Sequence, residues 1–404
     1  MSEPEPPYRR LLSTQAPQRD TIDMAGIRIP RYIGEFWTSR QRQASSLHEI
    51  SYRACFKPQL PRYFIELLTK NGDIVYDPFS GRGTTVVEAA LLGRKVLSND
   101  VNPLSEILSR PRLSVPLLSD VEDRLHSIRF TQSSASGPDL SMFYHPRTES
   151  EIIALKRYLD RRHRQQVEDD TDRWIRMVAT NRLTGHSKGF FSVYTLPPNQ
   201  AVSRERQVKI NARLRQRPEY RDTKAIILEK TRSLLRNVTP DQISNLKKAS
   251  RSARFLASEA SATDNIRTGS VTLTVTSPPF LNVVQYAHDN WLRCWFNSID
   301  AKAIGARLTM TAGLTNWSYE MEDVFAELYR VTKHGGWVAF EVGEVRHGKI
   351  RLDETVIPLA LLAGFRCEGI IINAQEFTKT SNIWGIHNNK RGTNTNRIAL
   401  FYKP

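Results

Sequence analysis

The sequence predicts an α/β fold with a mostly parallel sheet and a largely helical, basic insertion. Three observations support this fold class. A strand-helix-strand pattern runs from Ile74 to Asp100, four further apolar strands lie between Val271 and Pro404, and the stretch between these two blocks is rich in Lys and Arg. Alternation of strands with helices is typical of parallel sheets covered by helices.

The first block is a βαβ unit. It predicts a strand over Ile74–Tyr76, a Gly-rich turn, a helix through about Leu92, and a second strand over Lys95–Ser98 that ends in Asn99-Asp100. The turn is recognised by its glycines and the strands by their apolar, β-branched residues. The unit therefore begins a parallel sheet.

The second block repeats the alternation nearer the end of the chain. Its predicted strands are residues 271–277, 337–343, 365–373 and 397–403, and its predicted helices are Tyr319–Thr332 and Thr355–Ala363.

The composition is that of a globular protein with a surplus of positive charge. The chain has 404 residues, 58 Lys and Arg against 42 Asp and Glu, 40% hydrophobic residues and seven Trp. These values exclude a disordered tail, a collagen-like fibre and a disulfide scaffold. Residues 141–255 hold 25 Lys and Arg against 12 Asp and Glu, so 13 of the net +16 charges lie there. Either a nucleic-acid-facing surface or ordinary solvated helix faces would account for this stretch.

The same considerations divide the chain into four parts. Residues 1–30 are predicted to be a loose leader, 31–116 and 256–404 the two parts of the catalytic domain, and 117–255 a basic helical insertion. The three Cys are widely spaced and no apolar run approaches the ~20 residues of a membrane span. We therefore expect a cytoplasmic protein without disulfides.

The Gly-rich turn from Asp77 to Thr85 has the features of a ligand site. Its glycines permit close approach of the backbone to a ligand, and the following helix presents free N–H groups. The turn does not have the GxGxxG pattern of a dinucleotide-binding fingerprint. It is also not a P-loop, because no Lys follows the glycines. Asp100 lies where an acid accepts hydrogen bonds from ribose hydroxyls. An adenosine-type ligand with a positive centre is predicted, and a plain strand-to-helix turn is the alternative.

A second motif, Thr276-Ser277-Pro278-Pro279-Phe280, directly follows a predicted strand. Two prolines end the strand and stiffen the chain at the carboxyl edge of the sheet. Such a segment holds a hydroxyl and carbonyls in fixed directions, and the aromatic side chain can stack on a planar ring.

Together the two motifs resemble those of class I S-adenosylmethionine-dependent amino methyltransferases of DNA. Asp77–Thr85 is similar to the DPFxGxGTT motif of that family, and Thr276–Phe280 to its catalytic (S/T/D/N)PP(Y/F) motif. The resemblance covers roughly residues 40–115 and 255–404. It implies a Rossmann-like class I methyltransferase fold, S-adenosyl-L-methionine as cofactor, and target recognition by the basic insertion.

The resemblance also implies the roles of individual residues. The catalytic residues it implies are Ser277, Pro278, Pro279 and Phe280. The cofactor-binding residues it implies are Tyr52, Asp77, Pro78, Phe79, Ser80, Gly81, Gly83, Thr84, Thr85, Asp100, Val101 and Glu259. The nine His form no ligand cluster, so no metal is expected.

Within the family an S-P-P-aromatic motif is associated with cytosine N4, and D-P-P-Y or N-P-P-Y with adenine N6. Ser277 therefore favours cytosine, although Phe280 replaces the usual Tyr. The expected partner is double-stranded DNA whose target base is flipped out of the helix, together with a possible cognate restriction endonuclease that acts separately. Adenine N6 methylation, methylation of structured RNA, and a non-catalytic nucleic-acid-binding scaffold stay open.

Three further segments receive alternative interpretations. Residues 185–200 either lie along DNA or the active site, or form a structural loop. Residues 384–396 form either a hairpin loop or a base-contacting loop, and Gln285-Tyr286 would line the base pocket.

Overall fold

A computed structural model provides the structure of the chain. It describes residues 7–37, 44–52, 55–130, 137–195, 201–279, 289–307, 313–345, 350–373 and 396–404. Within these ranges no helix is both long enough and apolar enough to cross a membrane.

Helices and strands alternate along the chain, with a run of helices in the middle. The helices are α1 (Pro7–Gln15), α2 (Gln59–Leu68), α3 (Thr84–Leu91), α4 (Leu104–Ser109), α5 (Leu118–Ser127), α6 (Pro146–Arg164), α7 (Asp170–Arg182), α8 (Arg204–Leu214), α9 (Thr223–Leu235), α10 (Pro240–Ser252), α11 (Trp291–Phe296), α12 (Ala301–Arg307), α13 (Leu314–Val331) and α14 (Leu352–Leu362). The strands are β1 (Gln18–Met24), β2 (Ile27–Gly34), β3 (Ile74–Asp77), β4 (Lys95–Asn99), β5 (Arg254–Leu256), β6 (Val271–Thr276), β7 (Thr332–Val342), β8 (Glu344–Val345), β9 (Ile350–Arg351), β10 (Arg366–Asn373) and β11 (Asn396–Tyr402).

One mixed sheet forms the centre of the described chain. Its nine strands follow the order β1-β2-β10-β11-β7-β6-β3-β4-β5, and β8 and β9 form a separate small hairpin. Strands β3 to β7 are mutually parallel, β11 is antiparallel to both of its neighbours, and β2 runs parallel to β10. The seven strands from β5 to β10 thus have the class I methyltransferase arrangement that the sequence predicted.

Alternating strand residues supply cores on the two faces of the sheet. On one face Leu273 and Val275 of β6 belong to the same buried cluster as α2, α3 and the helices of the basic middle. On the other face Val338 and Phe340 of β7 pack with α13 and α14. Because both of its faces are buried, β6 consists of Val, Leu and Thr and carries no charged side chain.

Trp174 and Ile227 show how the insertion joins this core. They lie on α7 and α9, both are fully buried, and both belong to the cluster that includes Leu273 of the sheet. The insertion is helical, as predicted, and it shares a core with the sheet.

The prediction of a loose leader over residues 1–30 is wrong for residues 7–30. These residues include α1 and most of a β1-β2 hairpin that extends the sheet beside β10. Ala25 and Gly26 form its turn, and both have positive φ, as two-residue hairpin turns require. The hairpin was missed because β1 is an edge strand with mostly exposed residues, which hides the apolar alternation.

Candidate active site

A cavity of about 270 Å³ opens at the carboxyl ends of the parallel strands. It lies beside β3 and β6, where the strand order reverses, which is the usual ligand position in open α/β sheets. Its walls come from both motifs of the sequence and from α13. It is lined by Tyr52, Pro78, Phe79, Gly81, Asp100, Val101, Asn102, Ser258, Glu259, Ala260, Ser261, Ser277, Pro279, Arg307, Trp317, Glu320, Met321, Asp323 and Val324.

The Gly-rich turn forms the floor of this cavity. Gly81 has φ +53°, and a Cβ atom there would meet the Tyr52 ring at 3.6 Å. Gly83 has φ +76°, and its Cβ would lie 2.4 Å from the Cβ of Ser109. Both positions therefore require glycine, one for its backbone conformation and the other also for space.

Asp100 binds the turn through its carboxylate. Its Oδ2 accepts a hydrogen bond from the Gly81 N–H at 2.8 Å, and its Oδ1 accepts one from the Asn102 N–H at 2.9 Å. Burial raises the pKa of Asp100 to about 6. Since each carboxylate oxygen has two acceptor sites, one on each oxygen is still available for a vicinal diol.

Asp77 lies behind the cavity and joins the two motifs. Its Oδ1 accepts hydrogen bonds from the Thr276 hydroxyl at 2.7 Å and from the Phe79 N–H at 3.1 Å. The Thr85 hydroxyl adds a second connection by donating to the Val275 carbonyl at 3.0 Å. Burial raises the pKa of Asp77 to about 7. These contacts fix the end of β3 against the end of β6.

The Pro-Pro segment follows β6 along the cavity wall. Ser277 and Pro279 line the cavity, and Pro278 is buried between them. The Trp317 indole N–H donates to the Pro279 carbonyl at 3.0 Å. The segment is thus held by Asp77 at one end and by α13 at the other.

The segment around Tyr52 is held from three sides. The Ser51 carbonyl accepts hydrogen bonds from Asn181 of α7 at 2.9 Å and from Arg293 of α11 at 3.0 Å. The buried Arg82 of the Gly-rich turn donates to the Ile50 carbonyl at 2.9 Å. The Tyr52 ring is consequently fixed over Gly81.

Charges in the cavity favour a cationic ligand. The lining residues include four acids and one cation. The acids are Asp100, Glu259, Glu320 and Asp323, and the cation is Arg307. Burial and the neighbouring Glu259 raise the pKa of Glu320 to about 7. S-adenosylmethionine has a sulfonium, an ammonium and a ribose diol, so this set of acceptors and negative charges fits it.

The structure brings together most of the residues that the sequence singled out. The predicted residues that line the cavity are Tyr52, Pro78, Phe79, Gly81, Asp100, Val101, Glu259, Ser277 and Pro279. Those that lie outside its lining are Asp77, Ser80, Gly83, Thr84, Thr85 and Pro278. Phe280 and Gln285-Tyr286 lie outside the described residues, as do 196–200 and 384–395.

The sequence missed the wall contributed by α13. Trp317, Glu320, Met321 and Val324 line the cavity. Counted from Trp317, the other three follow after three, four and seven residues, which places all four on one face of a helix. This spacing is the sequence signal from which the wall could have been predicted. The predicted helix began only at Tyr319, after the Trp.

Residues 185–195 pack as a structural loop. The Phe191 N–H donates to the Arg182 carbonyl at 2.8 Å, the Val193 N–H donates to the Phe143 carbonyl at 2.9 Å, and both side chains are buried. The Arg182 guanidinium lies 3.9 Å from the centroid of the Phe190 ring. These contacts favour the structural interpretation over a DNA-binding one for this part of the segment.

Comparison with known proteins finds similarity over the first part of the chain. Residues 15–106 match the family model described as DNA methylase. The family resemblance is thereby confirmed over this part of the chain. Over 85 residues the chain is 35% identical to the Type II methyltransferase M.MvaI of Kocuria varians, covering 20% of this chain and 18% of that protein. Over 76 residues it is 33% identical to the Type II methyltransferase M.MjaII of Methanocaldococcus jannaschii, covering 19% and 14%.

Other similarities extend beyond DNA methylases. A tRNA (guanine(10)-N2)-dimethyltransferase of Methanocaldococcus jannaschii is 36% identical over 63 residues, which cover 15% of this chain and 18% of that protein. The chain thus spans less than a fifth of each of these three relatives. The rRNA methyltransferase aviRa from Streptomyces viridochromogenes is 12% identical, with 88% of each chain covered and a TM-score of 0.34.

The family match and the fold support S-adenosylmethionine as the cofactor, as the sequence predicted. No group of three or more His, Cys, Asp or Glu side chains suited to a metal ion occurs in the part of the chain that the structure describes.

Proposed function

We propose that this protein is a DNA amino methyltransferase that methylates the exocyclic N4 amine of cytosine in duplex DNA. One observation carries the proposal: Ser277 and Pro279 of the second motif line the same cavity as Asp100 and Gly81 of the first. A donor site for the methyl group and a site for the acceptor amine thereby adjoin each other. The DNA methylase match over residues 15–106 supports DNA as the substrate class.

The chain's own residues would bind and orient the two reactants. Asp100 would accept hydrogen bonds from the ribose diol, and Tyr52 would cover the cofactor on the side of Gly81. When bound, the cofactor would supply an electrophilic methyl group on its sulfonium: the N–C bond would form as the S–C bond breaks, the neutral thioether would leave, and the amine proton would pass to solvent. No covalent bond to the protein is needed, and the protein contributes mainly by positioning.

Ser277 is the residue we propose to act on the amine. Its hydroxyl and a backbone carbonyl of the Pro-Pro segment would accept the N–H hydrogens and favour the pyramidal, nucleophilic form. The Pro279 carbonyl already accepts the Trp317 N–H at 3.0 Å, so it has one acceptor site left. We propose Phe280 as the side chain that stacks on the flipped base.

The choice of base depends on Ser277. We propose cytosine N4 because of the S-P-P form of the motif, and adenine N6 is the second candidate because the matching family includes enzymes of both kinds. The basic insertion, residues 117–255, is proposed to recognise the target, and residues 31–116 and 256–404 to form the catalytic domain. A separate cognate restriction endonuclease is proposed because two relatives are Type II methyltransferases.

The test is to incubate the protein and its Ser277→Ala variant with labelled S-adenosylmethionine and duplex DNA, and then to analyse the nucleosides. N4-methylcytosine is expected, with a rate reduced roughly 100-fold or more in the variant. If the product is N6-methyladenine instead, the target base is adenine and the proposal of cytosine is wrong.

Two other results would overturn the proposal. Label in tRNA but not in DNA would make the protein an RNA methyltransferase. DNA binding without cofactor binding in calorimetry would indicate a non-catalytic scaffold.

A further inference from the structure

We infer that α8 and the turn after it form the surface that grips the DNA phosphates next to the active site. This inference rests on the proposed function, because it assigns a partner surface to that same site. Six basic residues make up this α8 surface: Arg204, Arg206, Lys209, Arg213, Arg215 and Arg217.

Unlike the basic residues of α6 and α7 that pair with carboxylates, the α8 surface forms no salt bridge within the described residues. Much of the insertion's positive charge is neutralised internally: Arg124 and Arg162 bind Asp172, and Arg176 binds Glu168 at 2.7 Å and Asp160 at 3.4 Å. All six residues of the α8 surface are exposed, and none forms a salt bridge with an acidic residue in the described ranges. Charge that is not used inside the fold is available to an external polyanion.

The packing of α8 explains why its cations face outward. Only Gln207 and Ile210 are buried, so the helix is fixed along a narrow stripe. The Gln207 amide donates to the Tyr194 carbonyl at 3.1 Å, and the Asn211 amide donates to the Met142 carbonyl at 2.7 Å. Arg206, Lys209 and Arg213 follow the i, i+3, i+7 spacing and form one row beside this stripe.

Contacts at the start of α8 connect it to the cavity wall through α11. The Ala201 N–H donates to the Asp289 carbonyl at 3.0 Å, and the Trp291 indole donates to the Val202 carbonyl at 3.1 Å. Two residues after Trp291, Arg293 of α11 donates to the Ser51 carbonyl at 3.0 Å, next to the cavity residue Tyr52. The start of α8 is therefore joined through α11 to the segment that places Tyr52 in the cavity wall.

The dimensions suit a DNA strand. A helix of 11 residues is roughly 16 Å long, which corresponds to about five phosphates of one strand. Cations in one row along such a helix can each approach a phosphate without reading the bases, which is the usual role of Lys and Arg at DNA backbones.

The chain offers a matched control on α10. Lys247, Lys248 and Arg251 are likewise exposed and belong to the same insertion. Asn245 of α10, however, donates to the Leu91 carbonyl at 3.1 Å, at the end of α3. Since α3 begins at the Gly-rich turn, its end lies at the opposite edge of the sheet from the cavity.

The experiment measures DNA affinity against salt concentration for the full chain, by fluorescence anisotropy with a short labelled duplex. The α8 triple variant carries Arg206→Gln, Lys209→Gln and Arg213→Gln, and the α10 triple variant carries Lys247→Gln, Lys248→Gln and Arg251→Gln. We expect the α8 variant to lose about two to three units of the log-log salt slope and roughly 100-fold in affinity at low salt. The α10 variant should keep both, and both variants should keep the melting temperature and the S-adenosylmethionine affinity of the wild type.

Three results would overturn the inference: an unchanged salt slope in the α8 variant, an equal loss in the α10 variant, or competition by tRNA that exceeds competition by duplex DNA at the same salt. These results differ from failure of the proposed function. If the wild type methylates DNA and the α8 variant binds it normally, only the inference fails. If the wild type binds DNA through α8 but methylates neither base, only the proposed activity fails.

Discussion

The Asp100 carboxylate is placed to recognise a diol and to make that recognition depend on pH. Each of its oxygens accepts one backbone N–H, from Gly81 and Asn102, and only the ionised form has acceptor sites left on both oxygens. With a pKa of about 6, about a tenth of Asp100 is ionised at pH 5. We predict that S-adenosylmethionine binds roughly tenfold more weakly at pH 5 than at pH 8, measured by calorimetry.

The matched variant is Asp100→Asn, which cannot ionise. It should bind the cofactor at least tenfold more weakly than the wild type at pH 8, and its affinity should not change between the two pH values. An affinity in the variant that rises with pH as steeply as in the wild type would show that another group, such as Glu320, is responsible.

Asp77 makes a second prediction, which concerns stability. Its folded-state pKa of about 7 lies above the ordinary value of 3.8, so the folded state holds the proton more tightly. The stabilisation is present below the unfolded pKa and is lost as the pH rises through about 7. Asp77→Asn keeps an oxygen for the Thr276 hydroxyl but cannot ionise. From pH 5 to pH 8 the wild type should therefore lose about 3 kcal/mol more of its free energy of unfolding than the variant, measured by urea unfolding. Parallel pH profiles would contradict this account.

At the scale of single residues, the sequence predicted several residues that line the cavity but not the hydrogen bonds that hold them. Asp100 and Ser277 were predicted because their motifs are local. The hydrogen bond between Asp77 and Thr276 was not, because it joins residues 199 positions apart. Such contacts depend on the pairing of β3 with β6, which the order of residues along the chain does not specify.

Helix α13 is the element that links the sheet to the Pro-Pro segment. The Trp317 side chain is 2% exposed, and its N–H donates to the Pro279 carbonyl. We predict that Trp317→Phe, which keeps an aromatic ring and removes the donor, lowers the methylation rate roughly tenfold by loosening the segment. The measurement is the single-turnover rate with saturating cofactor.

Trp174→Phe is the control for this change. The Trp174 indole also donates a hydrogen bond, to the Thr231 hydroxyl at 3.1 Å, but it lies on α7 and does not line the cavity. It should lose comparable stability and keep its methylation rate. If the two variants methylate DNA at equal rates, α13 does not position the Pro-Pro segment.

At the scale of elements, the pattern of apolar residues predicted the strands in the interior of the sheet but not the β1-β2 hairpin at its edge. Strands β6 and β10 lie within a residue of their predicted ranges because each carries buried β-branched residues, which favour strands. Strand β1 of the hairpin has no buried residue, so its sequence pattern resembles that of a polar leader. Helix α13 begins five residues earlier than predicted, because Leu314 and Trp317 extend its apolar face.

At the scale of the whole molecule, the insertion shares a core with one face of the sheet, where the sequence suggested separable parts. Helical spacing predicted that the insertion is helical, but it could not predict that α7 and α9 pack in the same cluster as Leu273 of the sheet. That packing depends on contacts between residues far apart in the chain. Its consequence is that the insertion and the sheet should unfold together.

Ile227→Ala tests this cooperativity. Ile227 is fully buried on α9, far in sequence from both motifs, and its truncation should cost about 2–5 kcal/mol. Because the core is continuous, we expect a single thermal transition at a lower temperature, and far-UV circular dichroism and loss of cofactor binding should report the same midpoint. The exposed Ile243→Ala on α10 should leave that midpoint nearly unchanged.

If the helical signal instead decreased in a first step while cofactor binding persisted to a higher temperature, the insertion would be an independent folding unit. The Asn181 and Arg293 contacts to Ser51 make the coincident transition the expected result, since loss of α7 would release the segment that holds Tyr52 over the cavity.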